Sequence, residues 1–142
     1  MDVSDLRKRI LRALDEGRKD STARRSAIDV ARGDFAAFLE NVAVPLLRQA
    51  VTVLKSEGLL FSVHTPADSA RLAHDKSPET YLELVLDVAG PYPRVVGRVS
   101  VTRGRHGVIV EERELAPKAV ADLREDDVAK FLVSEVAKLA LK

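Results

Sequence analysis

Three histidines, one serine and a run of arginines are the side chains here with the means to do chemistry. His64 and His74 stand ten apart with Asp68 and Asp75 beside them, the ingredients of a metal site laid across one turn. Zinc motifs draw their specificity from two close histidines on one helix face, and that spacing is missing. Polar turn residues are the simpler reading. Ser69 neighbours His64, Asp68 and Asp75 in sequence, but a nucleophilic triad is defined by geometry rather than by proximity along the chain. Neither a G-x-S-x-G elbow nor an S-x-x-K pair is present. His106, between Arg105 and Gly107, would need an orienting carboxylate to serve as a base, and the nearest are Glu111 and Glu112 across the strand.

The remaining carboxylates have structural explanations. Alternation puts Glu112 and Glu114 on one strand face and Glu111 on the other, where charge guards an exposed strand against edge pairing. Glu125-Asp126-Asp127 suits a helix N-terminus, whose dipole favours negative charge. Arg32-Gly33-Asp34 spells an adhesion tripeptide at a helix boundary and carries no weight there. Gly97, Gly104 and Gly107 do not form a phosphate cradle between a strand and a helix. No catalytic residue, metal ligand or cofactor is therefore assigned.

Two surfaces are left. The first is a basic hairpin over 94–106, with Arg94, Arg98, Arg103, Arg105 and His106. Arg94, Arg98 and Thr102 share an outward strand face, so stripe and tip make an edge suited to phosphate or another anionic partner. Only Tyr92 supplies a nearby aromatic ring, which disfavours single-strand recognition by stacking. The second surface is an N-terminal helical arm. Val3, Leu6, Ile10, Leu11 and Leu14 recur at helical spacing, while Arg7, Lys8, Arg9 and Arg12 lie off the stripe. A stripe this thin is too poor for a core helix throughout and is expected to pair with its own domain, a second subunit or another protein. Basic and amphipathic, the same segment offers an anionic membrane too small an apolar payload to hold it.

These surfaces need elements to carry them. Ser4 is placed to cap the first helix, and Gly17, within a polar run to Ser21, predicts a break or hinge. Asp20 or Ser21 would then cap a second helix through Ala23, Ala27, Ile28 and Ala31. Gly33-Asp34 marks a further boundary or an irregularity in one long helix. From Phe35 the apolar face reads Phe35, Phe38, Leu39, Val42, Leu46, Ala50, Val53 and Leu54, bent at Pro45 and ended by Gly58. The period then changes to two: strands are predicted from Leu59 to His64, weakly from Ala70 to His74 as an edge or link, from Tyr81 to Ala89, from Val95 to Thr102 and from Val108 to Leu115. A last helix starts at Asp126 or Asp127, with Leu123 before it as a staple and Val128, Phe131, Leu132, Val136 and Leu139 on its face.

Composition sets the bounds. The 142 residues, 46% hydrophobic and 32% charged, suit one globular domain. Net charge is +1, but it is segregated: +3 over 1–33, −4 over 34–89, +4 over 90–107 and −2 over 108–142. Anion binding must therefore be local. The absence of cysteine, together with an opening `MDVSDLRKRI` that has no apolar stretch, points to the cytoplasm, and the longest apolar run is short for a membrane span. The expected fold is α+β: N-terminal helices, an antiparallel meander of four to five strands with helices on one face, and a C-terminal helix. Residues 1–33 form the arm and 34–142 a single domain. The expected function is a non-enzymatic protein-interaction module, a dimeric adaptor, chaperone-like or regulatory protein, forming a homodimer through Leu6, Ile10 and Leu14. The alternative is binding of nucleic acid or an anionic partner by the hairpin.

Overall fold

The computed structural model describes residues 1–140, leaving out the His106 side chain. Helix α1 runs Val3–Phe38, passes through a π-helical turn at Leu39–Ala43 and continues as α2, Val44–Ser56. Five strands follow, β1 Phe61–His64, β2 Ala70–His74, β3 Tyr81–Asp87, β4 Arg94–Thr102 and β5 Val108–Glu114, and α3 Glu125–Ala140 closes the chain. The strands pair antiparallel in the order β1-β2-β3-β4-β5. This is the α+β meander that the change of period predicts.

The break predicted at Gly17 does not occur, and of the two readings left open at Gly33 the one long helix holds. Gly17 and Gly33 both lie inside α1. A glycine costs about 1 kcal/mol in a helix interior, but a helix already nucleated among leucine, arginine, lysine and alanine absorbs that cost. Asp15 and Lys19 bridge Gly17 with an i,i+4 ion pair of 3.2 Å. The cap is Asp2 rather than Ser4: its carboxylate accepts from the Ser4 amide at 3.1 Å. Pro45 is accommodated upstream. It has no amide hydrogen to give, and the π-turn closes with Val44 N–H donating to the Leu39 carbonyl. That wider turn takes up an extra residue and shifts the helical phase. The buried residues are consequently Ala31, Phe35 and Phe38 before it and Ala43, Leu47 and Leu54 after it, with Val53 turned to solvent.

The end of α2 is a Schellman motif. Gly58 takes φ 79, the Gly58 amide donates to Lys55 O at 3.0 Å and the Leu59 amide to Leu54 O at 2.9 Å. Leu59 is thus part of the cap, and β1 starts at Phe61 instead. β2 is no edge: it pairs with β1 and β3 on its two sides, so β1 and β5 are the edges. One sheet face, with Phe61, Leu72, Leu82, Leu84, Val95 and Val99, packs on α2 and α3 around Leu47, Val128, Phe131 and Leu139. At the centre the tip of the Phe131 ring, Cζ foremost, points at Gly97, whose missing side chain leaves the ring its space.

The N-terminus of α3 is tied down by Asp127, which is buried. Its carboxylate accepts from the Arg124 amide at 2.8 Å and from Lys118 Nζ at 2.9 and 3.0 Å. Burial pushes this carboxyl up, but the Arg124 amide and Lys118 outweigh it and hold it below the ordinary range. A pKa depressed by folding contributes stability above the unfolded value of about 3.9. That contribution is lost as pH falls through the folded value. Asp127→Ala is accordingly expected to cost about 1–2 kcal/mol at neutral pH and less in acid, below both values; denaturant unfolding at the two pH values measures the difference.

Candidate functional site

The histidines do not converge. In the β1–β2 register His64 stands opposite Arg71 and His74 opposite Phe61, at the two ends of the hairpin. An odd separation from Phe61 puts His64 on the other sheet face from Phe61 and His74. His74 lies edge-on to Phe61, ring centres 5.1 Å apart, and its Nδ1 accepts from the amides of Lys76 and Ser77. Ser69 Oγ is shared between Pro66 O and the Glu83 carboxylate, and Asp75 accepts from Ser62. No group of three or more histidine and carboxylate side chains suited to a metal occurs among the described residues.

The basic hairpin is placed as its pattern indicates, but its cations are interleaved with carboxylates. On the sheet face away from the helices, register lines up Arg71, Glu83, Arg98 and Glu112 across β2, β3, β4 and β5. Glu83, although drawn by alternation as an outward residue, is buried between Arg71 Nε at 2.9 Å and Arg98 at 3.8 Å. Arg98 also holds Glu112 at 2.6 Å. Arg94 pairs with Asp87 at 3.3 Å, and Ala89 N–H donates to that carboxylate. The Ala89 amide, opposed by partial burial and helped by Arg94, keeps Asp87 below the usual carboxylate range. Arg103 and Arg105 flank and occupy the turn Gly104–His106, exposed and without an ion pair among the described residues. Arg94 and Arg103 stand at opposite ends of β4, roughly 30 Å apart at about 3.3 Å per residue, so the four arginines do not converge, and of these four only the two at the tip lack an ion pair among the described residues. The His106 side chain is outside the described residues.

Two clefts border the long helix. One, about 1030 Å³, is lined by Arg32, Phe35, Leu39, Val44 and Arg48 of the helices, by the 65–69 turn and by residues of β2, β3 and β4. Glu40, Asp68 and Glu83 share its lining with those arginines and with Arg71 and Arg98. The other, about 830 Å³, is mostly apolar and lies between α1 and the 117–121 loop, beside Tyr92 and Pro93.

The arm is the most distinctive surface. Every residue from 1 to 27 is exposed. Val3 is 80% exposed, Leu6 46%, Ile10 49% and Leu14 49%, and none meets the body of its own chain. The body first meets the helix at Arg24, which donates to Ala89 O at 3.4 Å and Gly90 O at 3.1 Å. At about 100° per residue, Val3, Leu6, Ile10, Leu14, Gly17 and Ser21 fall in one sector about 120° wide. Half-buried Ile28 and buried Ala31, Phe35 and Phe38 occupy the same sector, and the last three are part of the core. One continuous apolar stripe is thus covered along its second half and bare along its first.

The helical run Val3–Ser56 also contains an 18-residue window of mean hydropathy 1.3 with at most two charged side chains, long and apolar enough by composition to cross a membrane. By that charge count the window falls within residues 35–54, whose Phe35, Phe38, Ala43, Leu47 and Leu54 form part of the core. The bare stripe lies outside it. No protein-family model matches this chain, and comparison with curated proteins and with solved structures finds no match.

Proposed function

We propose that this protein is a non-enzymatic interaction module, of adaptor, chaperone-like or regulatory kind, that associates through its N-terminal helix. The observation that carries this reading is the bare first half of a stripe whose second half is core. Covering Val3, Leu6, Ile10 and Leu14 would take their apolar surface out of water. The hairpin reading is weaker, because a phosphate would have to displace Asp87, Glu83 and Glu112 from Arg94 and Arg98.

Light scattering on the full chain and on a chain lacking residues 1–22 tests the proposal. The full chain is expected to self-associate, and the shortened one to be a folded monomer whose unfolding transition does not depend on protein concentration, since the deleted residues lie outside the core. A full chain that stays monomeric at concentrations on the order of 10⁻⁴ M overturns the reading.

A further inference from the structure

We propose that the occupant of the bare stripe is the arm of a second copy running antiparallel, with the two-fold axis passing near Arg12. This rests on the reading of the arm as the association surface and gives it a geometry. The collinear stripe decides the direction. Beyond Arg24 each body sits on the same side of its helix as the bare stripe. Two arms facing each other in parallel would bring both bodies into the space between the helices, where they collide. Run antiparallel, each body instead lies just past the other arm's tip.

The body also sets the register. It closes over the stripe at Arg24, beside exposed Tyr92, so the usable length is residues 3–21 and its midpoint is residue 12. Val3 of one copy then lies over Ser21 of the other, Leu6 over Gly17, and Ile10 beside Leu14. Large residues in the first half meet small ones in the second. Nothing in the chain lies within 4 Å of a side chain added at Gly17, and Ala13, Gly17 and Ser21 line a shallow groove there. Through residue 22 the arm carries six basic and five acidic side chains, so like arms are not driven apart. On one flank Arg9 faces Glu16 of the second copy; on the other Arg7 faces Arg18, a like-charged pair that weakens the contact. About 18 residues of helix give a contact roughly 27 Å long and about 10 Å wide. Over both copies that is roughly 540 Å², below the range of standard specific interfaces, so the pair is expected to be weak and transient.

The chain has no cysteine, so single thiols report contacts without background. Full-length Val3→Cys and Ser21→Cys proteins are oxidised each alone and as an equimolar mixture of the reduced proteins. Each alone places its two thiols about 27 Å apart along the helix axis. The mixture places Val3→Cys beside Ser21→Cys and is expected to yield several-fold more disulfide-linked dimer than either variant alone. Preferential self-crosslinking of Val3→Cys would show a parallel pair, overturning this geometry while leaving the arm as the association surface. A dimer by light scattering with no crosslink in any combination also overturns it. A monomer by light scattering removes both proposals.

Discussion

Replacing Gly97 by alanine is expected to destabilise the protein by about 3 kcal/mol, at the upper end of what overpacking a core does. Gly97 lies in β4 opposite Leu84 and Arg113. A methyl group built there would come within 2.6 Å of Phe131 Cε1 and Cε2 and closer still to Cζ. The ring cannot withdraw. Phe131 is buried, it is carried by α3 beside fully buried Val128, and the Arg113 guanidinium covers it 4.8 Å from the ring centre. Arg113 is itself anchored by Glu135 at 3.3 Å and by Ser134. The strain therefore falls on the contact between α3 and the sheet, which is the centre of the core.

A second substitution separates this account from a loss of backbone freedom. Phe131→Leu removes the atoms that the added methyl would strike, and alone it should cost about 1–2 kcal/mol. If the clash is the cause, Gly97→Ala combined with Phe131→Leu is less destabilising than the two single changes added together. Strict additivity in denaturant unfolding would mean that the two residues do not share the strain.

The contact also shows where reading the chain by periodicity stops. Val95, Val99 and Val101 mark the core face of β4, and Val128, Phe131 and Leu139 that of α3, from alternation and helical spacing alone. Gly97 shares that strand face, but no pattern says that an aromatic ring from residue 131 sits on it. The same limit appears in the helix. Spacing of 3.6 residues places Val53 inside and passes over Leu47, and the structure reverses both. The cause is the π-turn at Leu39–Ala43, which absorbs one residue and restores phase between Phe35 and Leu47. Pro45 was a legible warning of irregularity, but the way a helix accommodates a proline depends on what packs around it. Gly17 misled in the opposite direction, because propensity is a local cost and the helix is a cooperative object.

The candidate surfaces divide similarly. The arm's stripe was visible because it needs only one period along one segment. Whether it was covered was not visible, since that depends on where the body ends, at Arg24. The neutralisation of the arginine stripe was hidden for a different reason. Arg71, Glu83, Arg98 and Glu112 are spread over 42 positions and meet only through the register of four strands. β2, read from its sequence as a weak link, is the strand that contributes Arg71.

Glu83→Ala is expected to be the most costly change on the outer sheet face, at about 2–3 kcal/mol. Removing one member of a buried ionic cluster leaves the others desolvated and uncompensated, for which about 3–5 kcal/mol is typical. Two features reduce it here: Arg71 and Arg98 are both partly exposed, and Arg98 keeps Glu112. The loss is still large because Glu83 serves several neighbours. It accepts from Arg71 Nε at 2.9 Å and from Ser69 Oγ at 3.1 Å, and it faces Arg98. It thereby holds Arg71 in place over the Tyr81 ring, 4.1 Å from its centre. Glu83→Gln keeps the shape and an acceptor for Ser69, so it should cost only about 1 kcal/mol. Arg98→Ala should cost less than Glu83→Ala, since Glu83 retains Arg71 and Glu112 is at the surface. The order Glu83→Ala, then Glu83→Gln and Arg98→Ala, is what urea unfolding should return. If Arg98→Ala proves the more damaging, Glu83 is not the hub, and Arg98 would have to be doing something other than neutralising its neighbours.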